Sequence, residues 1–234
     1  MWSFDVPVGK NFFRNAIASF NERFRQVMKM HHQFRNLPDH IQTKLWERNS
    51  FYGAALNVAK LETCKTGEEQ FKCAYGKSDK NLVANIFRES NFSIKSLKVL
   101  LISHTNHNHS LAKIPESKQL INRYTQLVKN VTPILHNESL FYPFILLMLF
   151  SDVDQFDENF RENDLQSLSQ HYSTIIQRKL YDGTLENADD SDQLEFGRRA
   201  YFEINSYVRD VKELSQVLQK ILTMTADATQ NTSD

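Results

Sequence analysis

The chain has 234 residues, 28 basic and 28 acidic side chains, and a composition 41% hydrophobic and 24% charged. That balance excludes a chain that grips nucleic acid by charge alone. Six glycines and five prolines are too few to punctuate a barrel or sandwich of many short strands, so helices are favoured.

Residues 11–30 place Phe13, Ile17, Phe20, Phe24 and Val27 on one helical face, with Arg14, Arg23, Arg25 and Lys29 elsewhere around it. "HHQFRNLPDHIQTKLW" follows (His31 to Trp46), holding a proline and few purely apolar residues. His31 and His32 read as a helix end, where a partly positive imidazole is favourable. Gln42 to Leu61 is again helical in character. From Glu62 to Lys80 the pattern weakens, and Gly67 and Gly76 flank "EEQFKCAY", the outline of a small β-hairpin. Helical character returns over 81–102 and fails in "SHTNHNHS".

A helix is predicted over 116–131, ending before Pro133. "LFYPFILLMLF" (Leu140 to Phe150) is too short to span a bilayer and reads as a helix buried on all sides. Asp164 to Tyr181 keeps Leu165, Leu168, Tyr172, Ile175, Ile176 and Leu180 in helical phase. After an acidic linker, Phe196, Ala200, Ile204, Val208, Val211, Leu214, Leu218 and Ile221 hold one face of a long final helix. The polar tail, 225–234, is expected to be disordered. The chain thus reads as one all-α domain over 1–224.

Local charge is uneven: eight basic against four acidic residues in 1–50, and five against twelve in 151–200. This fits two docking faces or solvated acidic loops. Cys64 and Cys73 make no disulfide framework and read as reduced intracellular thiols, with no signal peptide ahead of them. His104, His107 and His109 form the only metal-like cluster, but in a loop of Asn and Ser that reads as solvated, so no metal or cofactor is assigned. No phosphate loop, nucleophile elbow or Cys/His pairing is visible, and the carboxylates sit in linkers where no burial tunes them. An enzyme is not expected.

The segment from Val27 through Leu45 resembles the signature of nuclear receptor ligand-binding domains. There a helix runs through a lysine into a Phe-x-x-Leu turn and an Asp-Gln-x-x-Leu-Leu helix start. Here Lys29, Phe34, Leu37, Gln42 and the pair Leu45-Trp46 fall in those places, with Ile41 in place of the Asp. "SLFYPFILLMLFSDVDQF" and "NDLQSLSQHYSTIIQRKLY" resemble the family's eighth and ninth helices. "YVRDVKEL" lies near the middle of a helix that resembles its joined tenth and eleventh. The resemblance covers about residues 10–222, and its divergence is similar to that of the expanded nematode receptor families.

The resemblance implies a layered helical sandwich and a nuclear transcription regulator that works by binding. Its pocket would draw on Phe13, Arg14, Ile17, Phe20, Phe51 and Ala55, taking a small lipophilic ligand whose polar head Arg14 would anchor. Bulky Phe side chains would equally suit a filled core. A coregulator helix of the Leu-x-x-Leu-Leu type would dock on Lys29, Phe34, Gln42, Leu45, Trp46 and Glu47, with Lys29 facing the exposed carbonyls of its C-terminus. Glu47 replaces the family's second groove lysine, and Tyr52 replaces a core Glu whose Arg partner is likewise missing from "SDVDQF". Nothing in these residues resembles the family's first helix, its DNA-binding domain or its activation helix, which favours repression or ligand-independent scaffolding. No direct nucleic-acid or membrane contact is expected. The alternative is a ligandless helical module that pairs with a second copy or another receptor through Tyr207, Val211 and Leu214. A metal enzyme built on the His104–His109 loop is a third, remote class.

Overall fold

The computed structural model describes residues 6–64, 69, 115–151, 162–181 and 190–230. Among them are seven helices and no strand: α1 (Val6–Met30), α2 (His32–Arg35), α3 (Asp39–Thr63), α4 (Pro115–Leu135), α5 (Glu138–Leu149), α6 (Glu162–Leu180) and α7 (Asp190–Gln230). The fold is all-α. The hairpin expected from 62–80 and the loop holding His104, His107 and His109 lie outside the described residues.

Helix α3 is the centre, packed against α1, α4, α5 and α7. Its middle, Gly53 to Ala59, is buried without interruption, so no polar face survives there. Gly53, Ala54, Ala55 and Ala59 are small enough to let neighbouring helices close on every side. A Cβ on Gly53 would lie 3.1 Å from both Ile145 Cγ2 and Phe20 Cε1, so α1, α3 and α5 cross at this residue.

The other helices bury single faces onto one continuous core. In α4 these are Ile121, Tyr124, Leu127, Val128, Val131, Ile134 and Leu135. In α6, Leu165, Leu168, Tyr172 and Ile176 are buried, as the period predicted. The 41-residue α7, about 60 Å long, lays Ala200, Ile204, Val211, Leu214, Val217, Leu218 and Ile221 against the rest.

Several boundaries and faces differ from those expected. Helix α4 runs past Pro133 to Leu135, because the ring deprives only the carbonyl of Lys129, whose residue is exposed to water. Pro143 is accommodated in α5 in the same way, above exposed Ser139. Helix α5 is not buried on all sides: Tyr142 is 63% exposed, on the strip with Glu138 and Ser139. In α1 the core takes Met28 rather than Val27, which is 53% exposed. Helix α7 continues to Gln230, where Ala226 and Ala228 favour a helix and no Gly or Pro stops it.

Candidate functional site

The stretch joining α1 to α3 is a built corner. Helix α1 buries Met28 in its last turn, and His31 N–H closes that turn on the Met28 carbonyl at 3.1 Å. His31 is extended and begins the single turn of α2, its Nδ1 accepting from Phe34 N–H. Arg35 and Asn36 N–H groups return to the His31 and His32 carbonyls, and Leu37 N–H to that of Phe34. Pro38 then opens α3, its carbonyl accepting from Ile41 and Gln42.

A short helix leaves its last carbonyls orphaned, and here one side chain takes them. Gln42 Nε2 donates to the Leu37 carbonyl at 2.7 Å and the Arg35 carbonyl at 3.3 Å. Phe34, Leu37, Ile41 and Leu45 are buried beneath the turn. Two candidate groove residues, Phe34 and Leu45, are therefore the floor of the corner, and Gln42 is its clasp. Lys29, Trp46 and Glu47 keep access to solvent. Lys29, in the last turn of α1, suits the partial negative charge of that helix end. Trp46 is half-buried, 5.4 Å from the Phe24 ring, which in turn stacks on Phe20 at 5.5 Å.

An aromatic cluster anchors the corner to the far side of the core. Phe150, at the end of α5, stacks on Tyr172 of α6 at 5.8 Å and 5°, with Phe34 6.4 Å and His31 6.3 Å from the same ring. Tyr172 Oη lies 2.6 Å from His31 Nε2 and donates to Gln33 Oε1 at 3.2 Å. Burial first, then repulsion from His171 and His32, holds the His31 imidazole below its ordinary pKa. The partly positive helix-end role expected of it is therefore corrected: His31 is an N-cap acceptor, which requires an uncharged Nδ1. Its partnership with Tyr172, 141 residues away, carries no local sequence signal.

The residues assigned to a ligand pocket share the general core. Phe20 and Ala55 are buried, and Ile17 and Phe51 are half-buried against the same cluster. The side chains of Phe13 and Arg14 lie outside the described ones. On α7, Val211 and Leu214 are fully buried inside the chain, so the seam read as a dimer face is spent on its own core. Tyr207 points inward too: its ring meets Phe144 edge-on at 6.3 Å, and its hydroxyl donates to Glu203 Oε1 at 3.0 Å. Burial, with that carboxylate beside it, pushes the Tyr207 phenol up to about 12. Among the described residues the large apolar side chains that face solvent are Val27 and Met30 on α1, Tyr142 on α5, and Tyr201 and Phe202 on α7.

Among the described residues no three His, Cys, Asp or Glu side chains are grouped to hold a metal ion, and no helix is long and apolar enough to cross a membrane. Compared with protein-family models, with curated proteins and with solved structures, the chain matches none.

Proposed function

We propose that this chain is a nuclear receptor-like helical domain of a transcription regulator, and that it acts by binding a partner helix at the α1–α2–α3 corner. The observation that carries this reading is the corner's construction. Gln42 clasps the turn, Phe34 and Leu45 form its floor, and Lys29, Trp46 and Glu47 stand at its rim. A pre-formed turn costs a partner little ordering. An exposed lysine beside a half-buried indole suits an amphipathic helix that offers leucines along one side and carbonyls at its end.

The test is fluorescence anisotropy with a labelled Leu-x-x-Leu-Leu peptide. The expected result is saturable binding that Lys29→Ala weakens about two- to fivefold, the range of one charge at a helix terminus. Unchanged binding in Lys29→Ala would remove Lys29 from the role, and no binding by any such peptide would overturn the reading.

A second reading, the ligandless interaction module, draws on Gly53. A methyl group there would meet the Phe20 ring and Ile145 at 3.1 Å, so the candidate pocket residue Phe20 packs closely on α3. Native mass spectrometry separates the two: a co-purifying mass of a few hundred daltons (roughly drug-sized) supports a lipophilic ligand, and a bare chain supports the module.

A further inference from the structure

His31 sits in a hydrogen-bond chain that admits one protonation state. Phe34 N–H points at its Nδ1 from 3.4 Å, and Tyr172 Oη faces its Nε2 at 2.6 Å. The single proton of the Tyr172 hydroxyl is given to Gln33 Oε1 at 3.2 Å. Nε2 must then supply its own proton to Tyr172, leaving Nδ1 as a bare acceptor for Phe34. The neutral Nε2–H imidazole alone satisfies all three contacts.

We propose that His31 is a protonation latch: neutral, it pins α2 to α6, and protonated at Nδ1 it surrenders the Phe34 cap and loosens the α1–α2 corner. A doubly protonated imidazole has no acceptor, so the Phe34 N–H would meet another N–H. The groups bearing on it make the charged state still less welcome. His32 of α2 and His171 of α6 both repel it, while Tyr172 of α6 is a neutral phenol and α5 contributes only the uncharged Phe150 ring. Lys29 on α1 and Arg35 on α2 are nearby in sequence and exposed. Among the described residues no carboxylate acts on the imidazole. The same lowering of its pKa places the switch on the acid side of 6.5. The latch stands whether or not a partner helix docks at the corner, because it concerns only the chain's own contacts.

The test follows His31 and Phe34 together by NMR on the full chain, from about pH 7.5 to about pH 5. The imidazole should titrate with a midpoint below 6.5. Protection of the Phe34 amide, corrected for its intrinsic exchange rate, should fall about fivefold with the same midpoint, as expected for a lost N-cap. In His31→Asn the carboxamide can cap the same N–H without titrating, so protection should stay level across the range. His171→Asn should move the His31 midpoint upward by removing a repelling neighbour. Level protection in the wild type, or the same loss persisting in His31→Asn, would overturn the proposal. So would an equal loss at the α4 amides of Leu127 and Val131, which marks global unfolding rather than a local release.

Discussion

Asn49 shows how much one polar side chain can hold when it is buried. It is 1% exposed on α3, and its amide nitrogen donates at 2.8 Å to both the Leu149 and Ser151 carbonyls. Those carbonyls belong to the end of α5, where helical partners run out. Asn49→Ala leaves both unpaired in the core and should cost about 1–3 kcal/mol, read from urea denaturation. Asn49→Asp should cost more, since a carboxylate would face two carbonyl oxygens with nothing to donate. An unchanged urea midpoint in either variant would mean that water replaces the amide. Nothing near Asn49 in the sequence announces this role; it sits among Glu47, Arg48 and Ser50, ahead of the run "FYGAALNVA", and that context gave only a helix.

At the scale of elements, two seams make opposite predictions. Between α4 and α7, Arg123 pairs with Glu213 across the surface, while Asn130 Nδ2 donates at 2.9 Å to the buried carboxylate of Asp210. The exposed pair is screened by water, so Arg123→Ala should barely move the urea midpoint. Asn130→Ala leaves a buried charge without that donor and should destabilise by about 1.5–3 kcal/mol. Equal effects would show that the surface pair ties the helices as strongly as the buried one. At the crossing of α1, α3 and α5, Gly53→Ala would gain about 1 kcal/mol in helix propensity. The new methyl meets Phe20 and Ile145 at 3.1 Å, and overpacking of this kind costs about 1–3 kcal/mol. The net expected change is destabilisation, relieved when Phe20→Leu is added; stabilisation by Gly53→Ala alone would show that the crossing has slack.

For the whole molecule, one continuous core predicts one unfolding transition. Trp46 emission in a Trp2→Phe background should report the same urea midpoint as helical circular dichroism. Separate midpoints would mean that the α1–α3 corner unfolds on its own. Stability should also fall toward acid in two windows. The folded His31 pKa lies below 6.5, so the unfolded chain binds more protons and stability is lost as pH drops from 6.5 to the folded value. Arg123 holds the Glu213 carboxyl below its ordinary 4.5, so its contribution, small because the pair is screened by water, is present above 4.5 and lost as pH falls through the folded value. Midpoints that rise on acidification would contradict both assignments.

Periodicity alone determined much of the fold: the faces of α6 and α7 and the all-α class follow from where apolar residues recur, whereas the continuous burial of the α3 centre came only from its neighbours. Other features depended on which helix lies where. Val27 and Met28 are about 100° apart on α1, and only the packing of α1 against α3 chooses Met28. The apolar seam of α7 reads equally as a dimer face or a core face, and the neighbouring helices decide for the core. The prolines of α4 and α5 stay in their helices because the carbonyls they orphan belong to residues that face water. Burial first, then His171 far along the chain, holds the His31 pKa down, because burial and repulsion act through space rather than along sequence.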